Sequence, residues 1–82
     1  MTDKYPIHTE VDARETRCPI PLLRAKQALK KMAVGEYLQL EATDPSAKAD
    51  FDAMLKHLPH ELVWYSMGET TPRVDTFIIR KG

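Results

Sequence analysis

The chain has 82 residues, with 12 Lys or Arg balanced by 12 Asp or Glu, a length that suits one small domain, expected over residues 1–82, folding without metal or disulfide staples. Zero net charge gives no overall field toward nucleic acid or anionic lipid, so neither direct nucleic-acid binding nor membrane association is expected. No apolar run is long enough to span a bilayer, Met1 to Thr9 lacks the apolar segment of a secretory signal, and a single cysteine provides no disulfide framework, so a reducing cytoplasm is the expected setting.

In chain order, His8 to Ala13 alternates, with Thr9, Val11 and Ala13 on one side, and predicts a short strand. The polar run Arg14 to Arg17 is a loop that delivers Cys18. From Pro19 to Ala33, Leu22, Ala25, Leu29 and Met32 recur at helical spacing, with Arg24, Lys26, Gln27, Lys30 and Lys31 on the remaining face. This predicts a helix with one buried stripe, stopped near Gly35. Glu36 to Ala42 alternates cleanly, Leu38, Leu40 and Ala42 facing one way, as a strand with one wet side does. Asp44-Pro45 joins an N-cap residue to a proline at the first helical position. Ala47, Phe51, Met54, Leu55 and Leu58 follow at helical spacing until Pro59.

Leu62 to Met67 and Val74 to Arg80 read as two more strands around the turn residues Gly68 to Pro72. Trp64 and Tyr65, as neighbours on a strand, point to opposite faces, one to the core and one to the surface. The order is β-α-β-α-β-β, and each helix has one apolar stripe. An α/β two-layer sandwich follows: a mixed four-stranded sheet with both helices on one face and a closing antiparallel hairpin.

The candidate chemistry lies in Arg17-Cys18-Pro19-Ile20-Pro21. A helix N-terminus presents unpaired N–H groups and a partial positive charge, which favour a thiolate. With Cys18 at the N-cap, Pro19 and Pro21 fall where an N–H would lack an intrahelical partner, so neither costs a helix bond. The Ile20 N–H is then the main donor near the sulfur. In the alternative register, proline's restriction of the residue before it delays regular helix to Pro21. A single cysteine in a small domain is otherwise an inert core hydrophobe. Polar residues before it and prolines after it place this one at a surface junction instead. Arg14 and Arg17 add positive charge beside a sulfur anion, and Arg24, one to two turns into the helix, joins Arg14 as a candidate docking residue. His57 and His60 have metal-pair spacing, but Pro59 intervenes and no further ligand set is evident. His57 is expected near the C-terminal dipole of the second helix. No metal or cofactor is expected.

The segment Val11-Asp12-Ala13-Arg14-Glu15-Thr16-Arg17-Cys18-Pro19-Ile20-Pro21 resembles the signature of the TusA/SirA-like sulfur-carrier family. Its hallmark is Cys-Pro-x-Pro after a Leu-Asp-x-x-Gly-Leu-x stretch. The likeness continues through Gly35-Glu36, Ala42-Thr43-Asp44-Pro45, His60-Glu61-Leu62 and Ile79-Arg80-Lys81-Gly82. The resemblance implies a βαβαββ sandwich that accepts sulfur as a persulfide on Cys18. The implied donor is a cysteine desulfurase or a rhodanese-like sulfurtransferase, and the implied recipient is a downstream sulfur-acceptor protein. The branches of the family serve transfer-RNA 2-thiolation, molybdenum-cofactor supply or sulfur oxidation. Such a protein is a relay component without independent turnover. Asp12 matches the family aspartate, with an expected role in loop hydrogen bonding, and Arg17, Pro19 and Pro21 support the motif.

Glu15 and Thr16 depart from the pattern, standing where the family has Gly-Leu. A glycine implies a tight turn, so its replacement predicts a different path for this loop, and the Glu15 carboxylate opposes ionisation of Cys18. Two other classes of function share these features: a single-thiol redox protein that forms mixed disulfides with glutathione or a partner, and a non-catalytic regulatory or interaction module.

Overall fold

The computed structural model describes residues 5–17, 19–69 and 71–82. Six elements follow in order: β1 (Ile7–Ala13), α1 (Ile20–Lys30), β2 (Tyr37–Ala42), α2 (Ala47–Leu55), β3 (Glu61–Ser66) and β4 (Asp75–Arg80). They form one mixed sheet in the order β1-β2-β4-β3. β1 and β2 pair in parallel through the α1 crossover. β4 is inserted between β2 and β3 and runs antiparallel to both. This is the two-layer βαβαββ arrangement expected from the alternation of the strands and the single stripe on each helix.

The core forms where the two helices meet one face of that sheet. Pro21, Ala25 and Leu29 of α1 and Ala47 and Phe51 of α2 are buried. They close over Leu38, Leu40 and Ala42 of β2 and Phe77 and Ile79 of β4. Phe51 stacks tilted on Phe77, with ring centroids 4.9 Å apart, and Tyr65 flanks the same ring at 5.0 Å. Burial of such side chains contributes about 1.5–3 kcal/mol each, so the central aromatic pair is a principal attachment of α2 to the sheet. Tyr65 faces this core, while Trp64 pairs with Ile78 on the outer face. A register shift between Leu62 and Trp64 accompanies a hydrogen bond from the Tyr5 hydroxyl to the Val63 carbonyl, 3.2 Å. Tyr5 thereby reaches across the outer face to the far edge strand.

Three boundaries differ from the sequence reading. α1 begins at Ile20 with Pro19 at its N-cap, rather than with Cys18 at the cap or a delayed start at Pro21. It stops at Lys30, and the chain turns at Gly35, whose φ of 93° is a conformation glycine reaches freely. α2 begins at Ala47 with Ser46 at the N-cap, so Asp44 stands ahead of the helix. The Asp44 carboxylate accepts hydrogen bonds from the Ser46 N–H, 2.9 Å, and the Ser46 hydroxyl, 2.8 Å, closing a turn that ushers the helix in. Asp75, buried at the start of β4, accepts from the Gly68 N–H, the Tyr65 hydroxyl and Arg73, which fastens the β3–β4 connection. Among the described residues, no helix is long and apolar enough to cross a membrane.

Candidate functional site

Parallel pairing decides where the cysteine loop sits. Ala13 at the end of β1 is in register with Ala42 at the end of β2. The two strands therefore run out at the same level, and the loops that leave them emerge side by side. In open α/β sheets this carboxyl-terminal edge is where sites form. Here it carries residues 14–17 on one side and Thr43, Asp44 and Pro45 on the other.

The loop opens with a tight turn. The Thr16 N–H points back to the Ala13 carbonyl at 3.4 Å, and the Thr16 hydroxyl donates to the same oxygen at 2.6 Å. Glu15, third in this four-residue turn, has φ of 62°, the pattern of a type II turn, which normally calls for glycine. The expected change of path is thus not found. The loop takes a turn that glycine allows, and makes it with glutamate at a conformational cost of about 1–2 kcal/mol. The Glu15 N–H donates to the Thr43 hydroxyl at 2.8 Å, which ties the turn to the neighbouring β2–α2 loop. Thr43 was not singled out from the sequence. Its signal is the strand register, since only the pairing of Ala13 with Ala42 places residue 43 beside the turn.

Asp12 secures the turn from below. Its carboxylate accepts from the Arg14 N–H at 3.0 Å and takes a two-pronged contact from the Arg14 guanidinium, 2.9 and 3.0 Å. This fork geometry is the strong form of an ion pair. The hydrogen bonds from the Arg14 side chain and backbone pull the Asp12 carboxyl down to about 2, and Asp12 in turn raises the already high value of Arg14. Arg24 reaches back from the second turn of α1 and donates to the Asp12 carbonyl at 2.6 Å. The two arginines read as docking residues are therefore both engaged within the loop, although both remain exposed.

Cys18 lies outside the described residues, so its flanks define the site. Arg17, Pro19 and Ile20 are exposed, while Pro21 is buried and anchors the first turn of α1 in the core. The Ile20 N–H donates to the Arg17 carbonyl at 2.8 Å. It is thus spent on the loop, which corrects its expected role as the main donor near the sulfur. Proline removes two further donors, at 19 and 21. The first turn of α1 contains no acidic residue. Arg17, which precedes Cys18 in the sequence, makes no ion pair among the described residues. An open cleft of about 570 Å³ in front of the loop is lined by Glu15, Thr16, Arg17, Thr43, Asp44 and Pro45. His60 has turned away from any role with His57: its Nδ1 accepts the Gly82 N–H at 3.0 Å.

Two outcomes follow from this geometry. Glu15→Gly should stabilise the fold by about 1 kcal/mol by releasing the left-handed residue, and Thr43→Val should destabilise it by about 1 kcal/mol by removing the acceptor of the Glu15 N–H. Urea denaturation of the two variants checks both signs, and equal stability of Glu15→Gly and wild type would refute the strain. A carboxyl held below its unfolded value stabilises the folded loop above the unfolded value of about 4, and the contribution is lost as pH falls toward about 2. A carbon-detected NMR titration of Asp12 should therefore have its midpoint near the lower value in wild type. In Arg14→Ala it should move up toward about 4.

The comparisons with known proteins agree with this architecture. The family model described as sulfurtransferase TusA matches residues 9–81. The sulfur carrier protein TusA of Allochromatium vinosum is 46% identical over 54 residues, 66% of this chain and 71% of that protein. The putative sulfur carrier protein YrkF of Bacillus subtilis is 33% identical over 72 residues, which cover 88% of this chain and 37% of the longer relative. The crystal structure of a SirA-like protein from Desulfitobacterium hafniense superposes with a TM-score of 0.72 over 92% of this chain and 99% of that one, at 22% identity. On a match that runs from the third residue of β1 to the residue after β4, the chain belongs to the TusA family.

Proposed function

We propose that this protein is a sulfur carrier that takes sulfur as a persulfide on Cys18 and hands it to an acceptor protein. The observation that carries the reading is the family match, which spans Cys18; the residues flanking Cys18 are exposed, and the turn before it is held by Asp12 of β1 and by Thr43. Relatives named as sulfur carriers support the same role.

The chemistry needs one nucleophile and a fixed place for it. The Cys18 thiolate attacks the outer sulfur of a donor persulfide. A new S–S bond forms, the donor's own S–S bond breaks, and the donor departs as a thiolate. The outer sulfur moves with no net oxidation or reduction, and its proton travels with it. In the second half, an acceptor thiolate attacks the outer sulfur of the Cys18 persulfide, and the Cys18 thiolate leaves. Neither step calls for a general acid or base from this chain. Arg17 and the amino-terminal end of α1 favour the anionic forms, and Asp12, Arg14, Arg24 and Thr43 act as positioning residues for the loop.

A cysteine desulfurase or a rhodanese-like protein fits as donor, because each presents the required persulfide. The acceptor's thiol decides whether the sulfur goes to transfer RNA, to a molybdenum cofactor or to sulfur oxidation. A relay of this kind works in a compartment that keeps thiols reduced, as the cytoplasm does.

Incubation with a cysteine desulfurase and cysteine, followed by mass spectrometry of the intact chain, tests the proposal. Wild type should gain one sulfur atom that a reducing agent removes, and Cys18→Ser should gain none. A glutathione adduct without any sulfur adduct would refute carriage in favour of mixed-disulfide chemistry.

A further inference from the structure

α1 presents two faces to solvent, and only one is used by the cysteine loop. Arg24 lies on the β1 side and is tied to Asp12. Beside it Ile20, and then Leu23 farther round the helix, are 40% and 47% exposed, large apolar side chains one helical turn apart. Below Leu23 a groove of about 400 Å³ opens between α1 and the α2–β3 connection. Leu23, Leu29 and Leu58 give it an apolar floor, and Lys26, Lys30 and Lys81 stand around it, with no acidic residue in its lining. Lys81 is fixed there by donating to the Leu29 carbonyl at 2.5 Å. Lys26 and Lys30 make no hydrogen bond or ion pair among the described residues. His60, also in the lining, is pushed below its usual value by burial and then by Lys81, so the charge of the groove at neutral pH comes from the lysines.

From these observations we infer that the groove between α1 and the α2–β3 connection is a docking site for an acidic, amphipathic segment of a partner protein, with an apolar side chain over Leu23 and Leu58 and carboxylates facing Lys26 and Lys30. The inference deepens the carrier reading and rests on it for the partner's purpose. The exposed strip continues from the groove through Leu23 to Ile20, two residues beyond Cys18. A segment seated there would bring its neighbouring chain to the exposed Pro19 and Ile20, which follow Cys18 in the sequence. An excess of like charge around an apolar floor also sets the sign of the partner, because a basic segment would be repelled.

The test uses the full chain, labelled with nitrogen-15, and a synthetic helical peptide that carries leucine and glutamate on one face. Amide shifts should move at Leu23, Lys26, Lys30, Leu58 and His60, and not at Arg14 or Glu41. A peptide with lysine in place of each glutamate should leave the spectrum unchanged. The double variant Lys26→Glu, Lys30→Glu, both exposed positions, should weaken binding about tenfold or more at low salt. Equal binding of the two peptides, shifts elsewhere on the surface, no shift at all, or occupation of the groove by a second copy of this chain would each overturn the inference. Loading of Cys18 by glutathione persulfide is read on the same samples. If the double variant loads like wild type, the effect belongs to docking. If no sample loads, the carrier reading fails and the peptide result still decides the groove.

Discussion

The in-register end of two parallel strands is the constraint on which the site depends. Because Ala13 and Ala42 are paired, the polypeptide must leave both strands at one edge of the sheet. Two polar loops are thereby brought into contact without any long-range guide beyond strand register. The Glu15 N–H meets the Thr43 hydroxyl across that junction. Asp12, one residue back along β1, holds Arg14 with its carboxylate and Arg24 with its carbonyl. The turn that leads to Cys18 is thus tied to β1 and to the loop after β2, and α1 is tied to the end of β1.

Much of this fold is legible in the residues, and the illegible parts have identifiable causes. Alternation in β2 places Leu38, Leu40 and Ala42 inward, and the helical stripe of α1 buries Ala25 and Leu29, as observed. The boundaries at prolines were misread. Pro19 and Pro45 each suit a first helical position, yet Pro19 is the N-cap itself and α2 waits until Ala47. In both places the residues ahead of the helix satisfy one another first: Arg17 takes the Ile20 N–H, and Asp44 takes Ser46. Local turn bonds of this kind compete with helix propagation and carry no periodic signal.

The site was legible as chemistry but not as mechanics. The Cys-Pro-x-Pro motif singles out Cys18 in the sequence, and the family match through residues 9–81 spans it. The sequence could not reveal that Arg14 and Arg24 turn onto Asp12, because a guanidinium on a surface helix looks the same whether it faces a partner or a carbonyl of its own chain. Nor could it reveal that Glu15 adopts a left-handed conformation, since residue preference argued the other way and the tertiary tie to Thr43 prevailed. The departure from the family's Gly-Leu pair thus keeps a turn of the kind glycine permits while adding a carboxylate at its crest and a hydroxyl that closes it. Specificity among relatives sharing one motif can reside in substitutions of this kind, which alter the surface a partner meets and leave the backbone course alone.

The central claim is that the cysteine loop is mechanically fixed rather than loosely exposed. Amide hydrogen exchange, resolved residue by residue, tests it most directly. The Glu15 and Ile20 amides sit on an exposed rim yet donate to Thr43 and to the Arg17 carbonyl, so both should exchange far more slowly than an unstructured chain. Exchange of these two amides at the rate of an unfolded peptide, with β2 and β4 still protected, would contradict the account.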